Sequence, residues 1–344
     1  MESCSMKKKI KLADVAAHAS TSVKSASRVI NGDEKVSPEV RARVEQSVID
    51  LGYRVDLLAR SLRKGVDDVI AVVVPSIGDK FFATAIEEIE ATALERDTQI
   101  IIASNNLDPS KEKQIVRQLE QRRVSGMIIV PNSANYAFMK LSPTPTVFLD
   151  RGPDGIDADV VKVDDFHGAF LATEHLISAG HKRIAVVSDS YKVKTSSWRI
   201  DGYKAALRKN DLPVDDRYVF MGAAEIEDSV KIAEQLIRNS PEVTAIFSSR
   251  STITMGLLQV LHEKNRHDIA IISFGDFEMA KVVEPKISVV DHSPRELGRL
   301  AALRIFAKID GENLDPETLM GHLSIIRRGS GEIPPVEVGR AHVG

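Results

Sequence analysis

Residues 12–31 read LADVAAHASTSVKSASRVIN, and this stretch decides the fold of the first part of the chain. A first apolar stripe recurs at helical spacing at Leu12, Val15, Ala16 and Ala19. A second stripe starts after Ser22, a residue type that caps helices, and comprises Val23, Ala26, Val29 and Ile30. The two predicted helices are joined by about three residues, a spacing typical of a helix-turn-helix, whose second helix can enter the DNA major groove.

A third helix is predicted from VSPEVRARVEQSVIDLGY, residues 36–53. Ser37 is placed to cap it, Pro38 suits its first position, and Gly52 follows its last turn. Its apolar face consists of Val40, Val44, Val48 and Leu51. We therefore expect a flexible tail at residues 1–9 and an all-α domain at residues 10–55.

The start of the second helix holds the candidates for DNA contacts. Val23 can meet a thymine methyl, and Lys24 and Arg28 can donate to guanine. The short polar side chains that complete the set, in part as phosphate contacts, are Ser22, Ser25, Ser27 and Asn31. A plain three-helix bundle with a solvated Lys24 and Arg28 explains the same residues, so both interpretations stay open at this point.

Charge is distributed unevenly along the 344 residues. Residues 1–65 hold 13 Lys or Arg and 8 Asp or Glu, a net charge of +5, whereas the remainder holds 33 basic and 41 acidic residues, a net charge of −8. A basic segment on an acidic body indicates a module for a polyanion. A solvated basic tail is the alternative.

Cysteine usage and hydropathy restrict the class of protein. The single cysteine, Cys4, excludes an intrachain disulfide and a multi-cysteine metal site, as suits a reducing cytoplasm. No apolar run approaches the roughly 18 residues of a membrane span, and the basic run at residues 7–9 lacks the apolar core of a secretory signal. We expect a cytoplasmic, nucleoid-associated protein with no membrane contact, metal or cofactor.

The body of the chain alternates between two patterns. Short apolar runs such as DVIAVVVPS (68–76) and TQIIIAS (98–104) alternate with amphipathic helical segments, and the alternation restarts after residue 165. This predicts two α/β lobes with mainly parallel sheets. Ligands of such folds bind beyond the carboxyl ends of the strands and between lobes.

Catalytic motifs are missing from the sequence: we find no G-x-G-x-x-G after a strand, no P-loop, no H-E-x-x-H and no G-x-S-x-G. Four histidines, interpreted as surface or helix-capping residues, are His175, His181, His262 and His267. Asp164 and Asp165 are adjacent carboxylates, which we interpret as a crossover loop rather than an acid–base pair. An enzyme is therefore not expected.

The N-terminal segment LADVAAHASTSVKSASRVINGDEKVSPEVRARVEQSVIDLGY, with the later ARSLR, resembles the DNA-binding domain of LacI/GalR-family transcriptional regulators. There are two departures from the family pattern. Ser20 stands in the first turn where the family has glycine, and Val55-Asp56 replaces the usual Pro-Asn.

The resemblance continues through VPSIGDKFFATAIEEIE, VSGMIIVP, EHLISAGHKRIAVVS and IAIISFGDFEMA, so it covers nearly the whole chain. It implies an α/β two-lobed effector domain like a type I periplasmic binding protein at residues 66–344. Lobe 1 is then expected at 66–163 and 293–323, and lobe 2 at 164–292 and 324–340. Crossovers are expected near 162–166, 290–294 and 322–326.

Between the two domains, DLLARSLRKG (56–65) resembles the family's hinge helix. It is too short to be stable alone, because isolated helices below roughly 12–15 residues are marginal, and we expect it to order on DNA. Leu62 matches the family's leucine lever, which wedges into the minor groove. The other hinge residues expected near DNA are Ala59, Arg60 and Arg63. An ordinary interdomain linker is the alternative.

The resemblance also implies a set of effector-binding positions: Phe81, Phe82, Asp150, Arg199, Arg250 and Asp276. The chain departs from sugar-binding members, which often have Asn-Asp at Arg250-Ser251 and Asp at Gly275, and an aromatic common near position 224 is here an alanine. Arg199 and Arg250 together favour a ligand with a carboxylate, a phosphate or several acceptor oxygens. The equal alternative is that Arg250 pairs with Asp276 or Asp150 and shapes the cleft.

We therefore predict a sequence-specific DNA-binding regulator, expected to be a repressor. It would bind a near-palindromic double-stranded operator as a homodimer. Its small-molecule effector would be a sugar, polyol, nucleoside or phosphorylated or acidic metabolite. The alternative is a small-molecule-binding protein of the periplasmic type without DNA function, against which residues 10–52 argue.

Overall fold

The computed structural model describes residues 10–30, 33, 35–53, 67–132 and 135–336. Its backbone contacts divide the chain into an N-terminal unit, residues 1–67, and a larger unit, residues 68–344. In the described ranges, no helix is both long enough and apolar enough to cross a membrane.

The N-terminal unit contains α1 (Leu12–His18), α2 (Val23–Ile30) and α3 (Pro38–Leu51), so the three predicted helices are confirmed. Their apolar stripes meet in a small core of Val15, Ala16, Ala19, Ala26, Val29 and Val44. Ser20, in the turn between α1 and α2, has φ +49°, the left-handed conformation that usually favours glycine. Gly52 ends α3 at φ +61°, while Ser37 takes the cap position without a side-chain cap bond.

The larger unit holds two sheets. The first has the order β11-β5-β4-β3-β1-β2, with parallel registers for β1–β2, β3–β4, β4–β5 and β5–β11. Its strands are β1 (Asp67–Val74), β2 (Gln99–Ser104), β3 (Val124–Ile129), β4 (Thr146–Leu149), β5 (Asp159–Lys162) and β11 (Thr318–Met320). Its helices are α4 (Lys80–Leu94), α5 (Pro109–Gln121) and α10 (Pro294–Ile309).

The second sheet has the order β12-β10-β9-β8-β6-β7, and β12 is antiparallel to β10. Its strands are β6 (Ile184–Val187), β7 (Val219–Phe220), β8 (Ala245–Ser248), β9 (Ala270–Phe274), β10 (Ser288–Asp291) and β12 (Ser324–Ile326). Its helices are α6 (Asp165–Ser178), α7 (Lys194–Lys209), α8 (Ile226–Asn239) and α9 (Ser251–Glu263). The predicted fold class, a helical domain followed by a two-lobed α/β domain, is confirmed.

The chain passes between the two sheets three times, from β5 to α6, from β10 to α10, and from β11 to β12. Three central strands of the second sheet, β6, β8 and β9, are buried along their whole length. This is the pattern of parallel strands covered by helices on both faces.

Packing between α8 and α9 depends on a glycine. A Cβ on Gly256 would lie 2.6 Å from the backbone oxygen of Ile226 and 2.6 Å from Cβ of Ser229, at the start of α8. We expect Gly256→Ala to lower the free energy of unfolding by about 1–3 kcal/mol, because α9 must move away from α8. Chemical denaturation measures this loss.

Gly78→Ala is the matched control, since a Cβ there has only Ser76 Oγ as a neighbour, at 3.6 Å. Equal stability of the Gly256 variant and the wild type would contradict the close helix contact.

Candidate functional site

The start of α2 is built to face outward. The Ser22 hydroxyl accepts a hydrogen bond from the Ser25 backbone N–H at 3.0 Å, so Ser22 caps the helix as predicted. Val23 directly follows it and is 49% exposed, a large fraction for an apolar side chain at the head of a helix. Lys24 beside it is also exposed. This end of α2 therefore offers one apolar and one cationic side chain to a partner.

The remaining N-terminal candidates differ in their contacts. Ser22 Oγ and Ser25 Oγ lie 2.9 Å apart and share a hydrogen bond. Arg28 Nε lies 3.5 Å from Asp33 Oδ2, so a base contact by Arg28 would compete with this exposed ion pair. Ser27 also has a partner. Five predicted DNA contacts lie outside the described residues: Asn31, Ala59, Arg60, Leu62 and Arg63. The Val55-Asp56 departure also lies outside them.

A cleft of about 670 Å³ lies between the two lobes of the larger unit. Its polar wall residues lie mainly in the loops after the carboxyl ends of strands and near the starts of the helices that follow, the location that this fold class uses for ligands. All six predicted effector-binding residues line it: Phe81, Phe82, Asp150, Arg199, Arg250 and Asp276. Gly275 and Ala224 line it too.

Arg250 bridges the two lobes. Its guanidinium donates to Asp79 Oδ2, after β1 of the first lobe, at 2.8 Å and to Asp189 Oδ2, after β6 of the second lobe, at 3.2 Å. Burial disfavours the cation, but these two carboxylates outweigh burial and hold the pKa of Arg250 above its ordinary value. Arg250 pairs with neither Asp276 nor Asp150, so those two partners, considered in the sequence interpretation, are wrong.

Arg199, on α7, is held by a buried carboxylate. Its Nε donates to Asp165 Oδ1 at 2.8 Å, and its Nη1 donates to the Ser249 carbonyl at 2.6 Å. Its guanidinium carbon lies 3.8 Å from the ring centroid of Phe274, a cation–π contact. Burial raises the pKa of Asp165 to about 6, against the opposing field of Arg199. Asp165, the first residue of α6 directly after the crossover from β5, thus positions Arg199 in the cleft.

The two predicted acidic residues of the cleft also have cations. Asp276 forms a two-pronged ion pair with Arg328 at 2.6 Å for each bond. Burial alone would raise the pKa of Asp276, but Arg328 outweighs it and lowers the pKa below the ordinary value. Asp150 Oδ2 accepts from Arg151 at 2.8 Å. The acidic residues predicted for the cleft therefore both have cationic partners, but neither partner is Arg250.

Three cleft residues that the sequence interpretation missed carry buried polar atoms with no hydrogen-bond partner in the described part of the chain. These atoms are Asn132 Nδ2, Thr252 Oγ1 and His292 Nδ1. Asn132 follows β3 of the first lobe, Thr252 lies in the first turn of α9 in the second lobe, and His292 lies on the connection from β10 to α10. Their shared signal in the sequence was a position just after an apolar strand, the same signal that indicated Asp150 and Asp276.

The four histidines considered from sequence lie elsewhere. His262 and His267 are exposed, as predicted. His181 is fully buried, with Nδ1 2.9 Å from Thr244 Oγ1 and Nε2 2.8 Å from the Ile333 carbonyl, so its predicted surface or capping role was wrong. It joins the C-terminal segment to the second lobe. His175 Nε2 lies 2.5 Å from Glu332 Oε1, and this contact also joins the C-terminal segment to the second lobe.

Comparison with known proteins assigns the family. Residues 67–323 match the family model described as periplasmic binding proteins and sugar binding domain of LacI family. Residues 11–56 match the model of bacterial regulatory proteins, lacI family. The chain belongs to the LacI family. Family membership identifies it as a DNA-binding transcription regulator and not an enzyme.

Relatives in the family cover almost the full length. The ribose operon repressor of Escherichia coli (strain K12) is 28% identical over 324 residues, which are 92% of this chain and 98% of the relative. The HTH-type transcriptional repressor PurR of Vibrio atlanticus (strain LGP32) is 26% identical over 324 residues, 92% of this chain and 97% of the relative.

Solved structures show the same architecture. The transcriptional regulator CelR–cellobiose complex has a TM-score of 0.70 and 25% identity, covering 93% of this chain and 99% of that one. The lac repressor dimer bound to operator and the anti-inducer ONPF has a TM-score of 0.84 at 21% identity, covering 94% and 99%, and shares the fold.

The Arg250 bridge leads to a first prediction for this cleft. In Arg250→Met, Asp79 and Asp189 lose their common cation, so we expect the lobes to separate more readily. Hydrogen exchange of the amides at the start of α4 and in the loop after β6 should accelerate by roughly tenfold or more. Mass spectrometry of exchanged peptides measures this.

The control is Arg217→Met, which removes an ion pair with Asp215 on the exposed surface of the same lobe (2.6 Å) and should leave those peptides unchanged. Unchanged exchange in the Arg250 variant would show that the bridge does not hold the cleft closed.

His292 leads to a prediction on pH. Burial, reinforced by the charge of Arg199, lowers the pKa of His292 to about 3. The unfolded chain binds the proton near pH 6.5, so the stability due to a neutral His292 is lost as the pH falls below about 6.5. As the pH falls from about 7.5 to about 5.5, we expect the contribution of His292 to the free energy of unfolding to decrease by about 1 kcal/mol.

Asp165 acts in the opposite direction, because a raised carboxyl pKa stabilises the folded state as pH falls. The informative quantity is therefore the difference in pH dependence between the wild type and His292→Phe, measured by denaturation at each pH. His262→Phe, at an exposed position, should keep the wild-type slope. A His292→Phe slope equal to that of the wild type would refute the assignment.

Proposed function

We propose that the chain is a repressor that binds a near-palindromic operator as a homodimer and changes its DNA affinity when a small molecule occupies the interlobe cleft. The observation that carries this proposal is the presence, in one chain, of an outward-facing helix-turn-helix and a cleft with unpartnered buried polar atoms. In this proposal the protein acts in the cytoplasm, on the nucleoid.

The DNA-binding part rests on α2. Because Ser22 fixes the start of the helix, Val23 and Lys24 project from its first turn, where recognition helices of this motif contact base edges. Arg28 lies one turn later, and to contact DNA it would have to give up its ion pair with Asp33. The hydroxyls of Ser22, Ser25 and Ser27 remain proposed phosphate contacts, and the hinge hypothesis for residues 56–65 stays a prediction.

Dimeric, palindromic binding is supported by similarity alone. The lac repressor structure with the same fold is a dimer bound to operator, and the two relatives described above are themselves named repressors. A two-fold symmetric protein reads a near-palindromic site, because each copy presents the same recognition helix to one half-site.

The effector part rests on the cleft. A ligand there would touch both lobes and the connections between them, so binding would change how the lobes are arranged. Such coupling between two sites is typically worth about 1–3 kcal/mol. The CelR structure, a cellobiose complex, supports a sugar-like effector for a protein of this fold. The candidate classes remain sugars, polyols, nucleosides and phosphorylated or acidic metabolites.

Lys24 provides the test of the DNA-binding part. We first select bound sequences from a random duplex library with the full-length protein, then measure affinity by fluorescence anisotropy. Lys24→Ala should weaken binding to the selected site by about 1–3 kcal/mol and relax preference at one base step.

Lys35→Ala removes an exposed lysine of the same unit that lies outside α2, and it should leave base preference intact. Equal loss on all sequences would restrict Lys24 to phosphate contacts. Failure to enrich any near-palindromic sequence would refute the proposed function and favour a small-molecule-binding protein without DNA function.

A further inference from the structure

His292 occupies an unusual environment in the cleft. Its ring stacks on Phe81 with centroids 4.8 Å apart and 11° between planes, and it meets Phe274 edge-on at 5.2 Å. The side chain is 8% exposed, and its Nδ1 has no hydrogen-bond partner among the described residues. A buried polar atom without a partner destabilises the structure, so a ligand that supplies the missing hydrogen bond is favoured.

Gly275 makes the space for this ring. It has φ +91°, and a Cβ added there would lie 3.1 Å from His292 Cε1. A carboxylate side chain at position 275 would therefore press against the imidazole where it now lies. Gly275 and His292 form a complementary pair, in which the histidine occupies space that a larger residue at 275 would need.

The charges of the cleft restrict the ligand. Arg250 is neutralised by Asp79 and Asp189, and Arg199 by Asp165. Asp276 has Arg328 as its cation. An anionic ligand bound at Arg199 or Arg250 would have to displace a carboxylate from one of these pairs, whereas an uncharged ligand leaves all of them intact. Among the described residues that line the cleft, the buried groups without a partner are an amide, a hydroxyl and an imidazole.

We infer that His292 is a specificity-determining residue of the cleft, whose Nδ1 hydrogen-bonds to a hydroxyl group of an uncharged effector. This inference rests on the proposed function of the cleft as the effector site. A hydroxyl can either donate or accept, so it satisfies Nδ1 in either tautomer of the imidazole. Because Phe81 covers one face of the ring, the ligand meets its edge.

The location of His292 gives the contact a second consequence. Asn132 belongs to the first lobe, Thr252 to the second, and His292 to the connection between β10 and α10. A hydroxyl-bearing ligand that satisfies all three fixes both lobes against the segment that joins them. Recognition of the ligand and the arrangement of the lobes then depend on the same hydrogen bonds.

The test uses the full-length protein and paired probes that differ in charge. The uncharged probes are D-ribose, myo-inositol, adenosine and uridine, and the anionic ones are D-ribose 5-phosphate and adenosine 5′-monophosphate. Thermal shift identifies the probe that binds best, and calorimetry measures its affinity for each variant. We expect an uncharged probe to bind best and His292→Phe to weaken its binding by about 5- to 100-fold.

Phenylalanine keeps the stacking on Phe81, so this variant tests the ring nitrogen and not the packing. His292→Gln, which retains a hydrogen-bonding group, should recover part of the affinity, and His262→Phe, at an exposed histidine, should bind as the wild type does. Undiminished binding by His292→Phe, or binding of the anionic probes alone, overturns the inference.

These outcomes are separate from those of the proposed function. A protein that selects an operator and binds an uncharged probe equally well with and without His292 refutes only the role of His292. If the protein binds the probe through His292 but selects no operator, only the proposed function as an operator-binding repressor is refuted.

Discussion

The arrangement of the cleft depends on the bridge that Arg250 forms to Asp79 and Asp189. Asp79 performs two tasks at once, because its Oδ1 accepts from the Phe81 backbone N–H and caps α4 while its Oδ2 accepts from Arg250. Asp189 likewise accepts from the Ser196 hydroxyl and from the Ser190 backbone N–H. The helix starts that form the cleft walls are therefore tied to the same cation that joins the lobes.

Such a bridge serves specificity more than stability. Removing charges from water has a free-energy cost. A buried ion pair offsets this cost only when its remaining hydrogen-bonding groups also have partners. In this cleft the satisfaction is nearly complete for the charged groups, through Arg250, through Arg199 with Asp165, and through Asp276 with Arg328. Among the described residues that line the cleft, the buried side-chain atoms without a partner belong to uncharged groups, so selection among ligands depends on hydrogen bonding and shape.

The elements of the fold could be predicted from sequence because each depends on local signals. The stripes of α1 and α2, the Ser22 cap and the apolar runs of β6 and β8 lie within a few residues of the chain. The positions of the cleft residues followed from the same signals, since they come after strands. The ion-pair partners of the cleft residues could not be predicted from these local signals. Arg250 and Asp79, for example, are 171 residues apart, and no periodicity relates them. Arg250 was therefore placed in the cleft correctly, with the wrong carboxylates beside it.

His292 shows why such an environment is hidden in a single sequence. A histidine after a strand becomes a cleft residue here because Gly275, on the neighbouring strand end, has no side chain and because Phe81, from the other lobe, covers the ring. None of the three residues indicates this environment alone, and the departure at Gly275 shows only the absence of the aspartate that sugar-binding members have there. In three dimensions the same departure admits an uncharged, buried imidazole. A carboxylate at 275 would have brought a further negative charge into a cleft whose cations are already paired, and the glycine avoids that charge.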